Sequence, residues 1–276
     1  MRICKNQITD EIRELFNANP LRVPEARIQP LCMLEIRDKK PKYLGEFKFL
    51  VKDEFQHEIP IKTDPVAKIS HSKTKKIDFN IGFDILGNFI KAFGLDPAAI
   101  ATAIKGSKTM SFSFGNVKRK YIDPLEFGNI LVSNDVKGDP DNMFIANILT
   151  EPDTKLALIT DVLTSKDFTL STYKGNETEA SINIPLIQQY ISNLDTGLKV
   201  EKVAENEIKF KGRTALTYAF TCVEISIDPT TGKFSKGQWL ENIRSAKNVT
   251  GTDHSVIEIP KYMLDENQAN PLLIEF

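Results

Sequence analysis

From Ile77 the chain alternates without a break, with Ile77, Phe79, Ile81, Phe83 and Ile85 on one side and Asp78, Asn80, Gly82 and Asp84 on the other. That is the two-residue period of a half-buried strand. It returns at Met110, Phe112 and Phe114 against Ser111, Ser113 and Gly115. Between the two stretches the spacing turns helical, through Ile85, Leu86, Phe89, Ile90 and Phe93, with Gly94 as the residue that ends the turn. Asp96 then reads as an N-cap and Pro97 as the first residue of a second short apolar helix, closed near Gly106. Half-buried strands of a curved sheet are the ordinary outcome of such a pattern. The face of Phe79, Ile81, Phe83, Met110, Phe112 and Phe114 also meets the requirement for contact with lipid. A spanning β-strand needs only about 9–11 residues with alternate faces, and closure into a barrel satisfies its backbone.

The rest of the chain continues in the same style. A helix is expected over residues 1–19, with Thr9 as N-cap, Ile8, Ile12, Leu15 and Phe16 on one face, and Pro20 as its stop. Strands are expected from Ile28 to Ile36 and through Tyr43, Leu44, Phe47, Phe49 and Val51. Helices are expected at Phe127–Val132, Asn142–Leu149 and Pro185–Asn193. Lys155–Leu163 and Asp167–Lys174 read as strands around a turn at Ser165-Lys166, and Ala180–Ile184 extends that character. Further strands are expected at Leu198–Val203, Ile208–Lys211 and Thr214–Ile227. Asp228-Pro229-Thr230-Thr231-Gly232 is a turn by mechanism, because Pro presets φ and Gly supplies a positive one. The expected class is α+β, a twisted and mostly antiparallel sheet with short helices around it.

Charge narrows the function. Among 276 residues, 36 Lys and Arg face 37 Asp and Glu, so no strong overall field is available to hold nucleic acid. The balance is uneven along the chain. Residues 245–276 hold two lysines against five carboxylates, a net of −3, which leaves 34 basic against 32 acidic residues and +2 for the rest. That acidic end carries Val256, Ile257, Ile259, Tyr262, Met263 and Leu264, so it has apolar surface to bury. Three cysteines at 4, 32 and 222 make no disulfide framework, and the N-terminal stretch lacks the apolar core of a secretory signal. A cytoplasmic location is expected, with no helix long and apolar enough to span a membrane.

Enzyme signatures are missing. His57, His71 and His254 have no metal-ligand spacing, no cysteine pair is spaced as CxxC, and no metal is expected. Gly106-Ser107-Lys108-Thr109 lacks the order of a phosphate loop, and there is no nucleophile elbow. Cys32 and Cys222 sit in apolar runs, where a thiol acts as a small hydrophobe. Two features remain for membranes. Cys4, flanked by Arg2, Ile3 and Lys5, is either an ordinary packed thiol or the site of a thioester-linked acyl chain worth about 0.8 kcal/mol per buried CH₂. The basic clusters holding Lys39, Lys40 and Lys42, and Lys73, Lys75 and Lys76, are solvated loops or contacts to anionic headgroups.

At this point the ordered segments resemble a gasdermin, and in particular the short bacterial members. The resemblance runs through Val23-Pro24-Glu25-Ala26-Arg27-Ile28-Gln29-Pro30-Leu31-Cys32-Met33-Leu34, Leu44-Gly45-Glu46-Phe47, Ser111-Phe112-Ser113-Phe114 and Asp123-Pro124-Leu125. It continues at Ala157-Leu158-Ile159-Thr160-Asp161-Val162-Leu163, Phe168-Thr169-Leu170 and Gly212-Arg213-Thr214-Ala215-Leu216-Thr217-Tyr218-Ala219-Phe220. With a short stretch after residue 244, the large helical C-terminal domain of animal gasdermins is not expected. The linker from Gln238 to Asn248 has one acid, Glu241, which precedes Asn242 and makes no caspase-type site.

The resemblance implies a body over 1–243 and a linker with an autoinhibitory segment over 244–276. It implies a monomer that, after a caspase-like or trypsin-like protease cuts near Arg244, Ser245, Ala246, Lys247 and Asn248, assembles as a large homo-oligomer into β-barrel pores in the cell inner membrane. Roughly Ile77–Val117 and Lys155–Phe220 would refold into spanning hairpins, whose strands carry Phe79, Ile81, Phe83, Met110, Phe112, Phe114, Leu158, Thr160, Phe168 and Leu170. Cys4 matches the acylated cysteine of bacterial members, so a palmitoyl group is expected there. Anionic lipids are the expected partner, and regulated cell death in antiphage defence the expected role. A soluble scaffold without membrane activity, or a hydrolase with a site assembled around Cys222 or His71, are the other readings the residues leave open.

Overall fold

The computed structural model describes residues 18–37, 40–51, 58–66, 73, 76–92, 96–139, 141–151, 154–174, 178–192, 197–228 and 230–235. In chain order it sets β1 (Asn19–Glu25), β2 (Cys32–Arg37), β3 (Lys40–Glu46), a single 3-10 turn (Phe47–Phe49), β4 (Ile61–Pro65) and β5 (Ile77–Asp78). Helices α1 (Phe79–Lys91) and α2 (Pro97–Ala103) follow, then β6 (Thr109–Gly115), β7 (Lys118–Ile122), α3 (Pro124–Ser133) and α4 (Met143–Thr150). The last elements are β8 (Thr154–Tyr173), α5 (Ile184–Ser192), β9 (Lys199–Ala204), β10 (Glu207–Ile227) and β11 (Phe234–Ser235).

Two long strands form the spine. β8 and β10, of 20 and 21 residues, pair antiparallel from Glu207 opposite Ser171 to Ile225 opposite Leu156. The free edge of β8 takes three partners in turn: β2 at Thr154–Leu158, β7 at Asp161–Thr164 and β6 at Asp167–Tyr173. The free edge of β10 takes β9, β1 and β11. Every pairing among the described residues is antiparallel, so the class is α+β as expected.

The spine bends because its two strands are out of step. Between Lys211 and Leu216, β10 advances five residues while β8 advances two, and further shifts fall at Tyr218 and at Thr160. Such bulges bend a sheet and raise its twist. The turn expected at Ser165-Lys166 is this bend, not a chain reversal. Ser165 Oγ donates to Gly115 O and accepts from Asp167 N–H at 3.0 Å, so the strand runs on through the corner. Ile208–Lys211 and Thr214–Ile227 likewise join into one strand.

A second correction concerns residues 77–85. Only Ile77 and Asp78 pair as strand, and from Phe79 the chain is helical, with Asn80 N–H donating to Asp78 Oδ1 at 2.9 Å. Phe79, Ile81 and Phe83 therefore lie on α1. The spacing permits both states: Phe79 and Phe83 are two steps of two, but also one helical i,i+4 step, and their rings stack at 5.9 Å. Gly82, placed on the polar side of the strand reading, is buried in the helix.

The other differences are local. The expected N-terminal helix lies outside the described residues up to position 17, and Asn19–Glu25 is an edge strand, where Pro20 and Pro24 are tolerated. Leu31 takes a positive φ of 69°, so β2 starts at Cys32 and not at Ile28. The strand expected through Val51 stops at Glu46. The caps behave as read: Asp96 accepts from Ala98 N–H at 2.9 Å ahead of Pro97. Asp123 does the same for Leu125 ahead of Pro124.

Three cores result. The first lies under α1, α2 and α5 on one face of β6, β8 and β10. The second packs α3 and the 3-10 turn on Leu156, Leu158 and Val223. The third, on the opposite face, gathers Leu21, Ile28, Leu34, Ala157, Ile159 and Phe220.

Candidate membrane-inserting sheet

Beyond the corner, β6, β8, β10 and β9 form a four-stranded sheet with one apolar face. One rung is Phe114, Phe168, Phe210 and Val200, and the next is Phe112, Leu170, Ile208 and Lys202. Met110 opposite Thr172 continues it. The intervening rungs are polar: Gly115, Asp167, Lys211 and Lys199, then Ser113, Thr169, Lys209 and Glu201, then Ser111, Ser171, Glu207 and Ala204. Since successive residues point to opposite faces, these sets separate cleanly.

Phe168 is the centre of the apolar face. Its ring stacks on Phe89 of α1 at 4.2 Å and on Phe112 at 5.2 Å, and it meets Phe114 at 5.6 Å and Phe210 at 6.1 Å. Leu86 and Ile90 of α1, Ile100 of α2, and Ile187 and Ile191 of α5 close over it. Fully burying a side chain of this size is worth about 1.5–3 kcal/mol, so the face is stable only while helices, or another apolar phase, cover it.

The polar face is tied by charge and hydroxyls. Asp167 accepts from Asn116 Nδ2 at 2.8 Å and pairs with Lys209 at 3.4 Å. Ser171 Oγ donates to Glu207 at 2.9 Å, and Lys73 pairs with the same carboxylate. Lys76 lies 4.2 Å over the Tyr173 ring.

The structure thus brings together Met110, Phe112, Phe168 and Leu170, with Phe79, Phe83 and Phe114 packed against them. Leu158 belongs to the second core instead. Thr160 lies in the bulge, where its hydroxyl meets Thr221 Oγ1 at 3.1 Å. Lys40 and Lys42 sit near the Thr154 end of β8, because β3 pairs through β2, whereas Lys73 and Lys76 sit near the Tyr173 end. Lys42 pairs with Glu35 at 3.6 Å. Cys4, Lys39, Lys75 and the linker residues Arg244, Ser245, Ala246, Lys247 and Asn248 lie outside the described residues. Ile208 and Phe210 are further members of the face, and Phe89 of α1 is a further part of its cover. The alternation Glu207-Ile208-Lys209-Phe210-Lys211 carries the signal for the two strand residues.

The residues weighed for enzyme chemistry have structural places. Gly106, at φ 96°, turns the chain so that Lys108 N–H reaches Tyr173 O at 2.7 Å. Cys32 and Cys222 are buried in the third core, and burial pushes the Cys32 thiol up from its ordinary range. Among the described residues there is no group of three metal-ligating side chains and no helix long and apolar enough to cross a membrane.

A family model described as the Bacterial Gasdermin Family matches residues 21–238, and the chain belongs to that family. A curated relative, Gasdermin bGSDM of Vitiosangium sp. (strain GDMCC 1.1324), is 28% identical over 230 residues, covering 82% of this chain and 84% of the relative. The fold matches the solved structure of a bacterial gasdermin from Bradyrhizobium tropiciagri with a TM-score of 0.61, at 12% identity and over 82% and 89% of the two chains. Membership makes the protein a pore-forming effector rather than an enzyme.

Proposed function

We propose that this protein is stored as an autoinhibited monomer and forms large β-barrel pores after proteolytic loss of its C-terminal segment, residues 244–276. The observation that carries the reading is the sheet of β6, β8, β10 and β9. Its apolar face is already in register and is covered by three short helices, α1, α2 and α5. For Ile77–Val117 and Lys155–Phe220 to span a bilayer, those helices must extend into strands, and lipid then replaces them over Phe112, Phe168 and Phe210.

The acidic segment holds the body inactive while tethered, and cutting the linker removes its effective concentration even before any contact changes. Its loss also moves the remaining chain from −1 to +1, the favourable direction at anionic lipid. A palmitoyl thioester on Cys4 and lysines at 39, 40, 42, 73, 75 and 76 add membrane affinity. The biological setting is cell death at the inner membrane in antiphage defence.

The test is dye release from anionic vesicles. A chain carrying a specific protease site in place of residues 244–248 should be silent when intact and should empty vesicles when cut. Vesicles that stay full after complete cutting would overturn the reading. Peptide mass spectrometry of Cys4 tests the acyl chain separately.

A further inference from the structure

Two buried side-chain atoms among the described residues have no hydrogen-bond partner, Tyr218 Oη and Asp167 Oδ1. Both lie at the corner of the spine. Asp167 stands opposite Gly115 on β6, and Tyr218 stacks flat on Phe114, the preceding residue, at 4.2 Å and 5°. Tyr218 is also the residue by which β10 gains a step on β8, since Thr217 pairs with Thr164 and Ala219 with Leu163. It is 4% exposed and belongs to the first core, so its hydroxyl is sealed among apolar side chains.

A buried hydroxyl without a partner gives up its hydration for nothing, and folded proteins keep few of them. Phenylalanine would fill the same volume and stack equally well on Phe114 without that cost. Tyrosine at this position therefore opposes the stored state. Asp167 repeats the theme more mildly, since Oδ2 takes both Asn116 and Lys209 and Oδ1 takes nothing.

On the pore reading, from which this inference starts, the same position changes surroundings. Tyr218 lies two residues before the end of the second inserting region, where an inserted strand meets the membrane boundary. A tyrosine there keeps its ring in hydrocarbon and its hydroxyl among headgroups and water. A group orphaned in one state and satisfied in the other shifts the equilibrium toward the state that satisfies it. We propose that Tyr218 is a built-in bias toward insertion: its hydroxyl destabilises the stored body and finds its partners at the membrane boundary of the pore.

Tyr218→Phe tests this with two readouts. In the intact chain, without vesicles, the thermal midpoint should rise by roughly 2–8 °C as the orphaned hydroxyl is removed. After cutting, dye release should slow by at least about threefold, because a stored body made more stable, without the hydroxyl's gain on insertion, has a higher barrier to leave. A midpoint that stays level or falls, or a variant that does not fold, would mean the hydroxyl is satisfied in the stored body and would overturn the proposal. Release at the wild-type rate or faster would overturn it as well. Failure of the pore reading itself is seen separately, as a cut wild-type chain that releases nothing.

Discussion

Gly82 of α1 and Met110 of β6 touch backbone to side chain: a Cβ on Gly82 would lie 2.9 Å from Met110 Sδ and 3.1 Å from its Cβ. The helix can lie this low on the strand only because position 82 has no side chain. Gly82→Val should lift α1 from the sheet and cost about 1–3 kcal/mol, lowering the thermal midpoint of the intact chain by several degrees. Valine suits a strand, so the same variant should release dye faster once cut. A variant with unchanged midpoint would show that α1 does not depend on this approach.

Phe168 should be the most costly single truncation in the apolar face. Phe168→Ala removes the ring that Phe89, Phe112, Phe114 and Phe210 share. A loss of about 3–5 kcal/mol is expected, read from the denaturant midpoint of the intact chain. A loss below 1 kcal/mol would place the centre of the core elsewhere.

Acid should loosen the turn held by Asp228. Hydrogen bonds from Thr231 N–H at 2.7 Å and Thr230 N–H at 2.8 Å hold the Asp228 carboxyl below its ordinary range, and Lys233 and then Lys137 do the same for Asp135. With folded values depressed, both groups stabilise the fold above their unfolded pKa, about 4, and lose that contribution as pH falls through the folded values. Hydrogen exchange at Gly232, whose N–H donates to Asp228 O at 2.8 Å, should therefore speed up below about pH 4 beyond its intrinsic change. In Asp228→Asn that extra acceleration should shrink.

Cysteine labelling separates buried thiols from reactive ones. Cys32 and Cys222 are 2% and 0% exposed, and burial keeps the Cys32 thiolate scarce at neutral pH. Neither should react with iodoacetamide in the intact folded chain, and both should react in denaturant. Rapid labelling of either in the folded chain would contradict its place in the third core.

Local chemistry in the sequence was legible where it acts over a few residues. The caps Asp96 and Asp123, the turn at 228–232 and the alternation of Met110, Phe112 and Phe114 all form as read, because their geometry is set by neighbours in sequence. What was hidden depends on distant partners. Residues 79–85 carry a pattern that serves strand and helix alike, and in the helix Gly82 lies against Met110 while Phe79 and Phe83 pack on the first core. Ser165 and Lys166 looked like a turn because the local polarity is right, yet Gly115 and Asp167 hold Ser165 inside a continuous strand. Pro20 also lies in an edge strand on β10, a pairing that its own residues do not reveal. The same ambiguity at 79–85 that defeats a local reading is what a segment needs if it must be helix in one state and strand in another.

On the pore reading, α1, α2 and α5 become strand when the pore forms. Far-UV circular dichroism recorded during dye release, on the cut chain mixed with anionic vesicles, tests it directly. Helical signal should fall and strand signal rise in step with release, by an amount matching the loss of these three helices. Full release with unchanged helical content would contradict it.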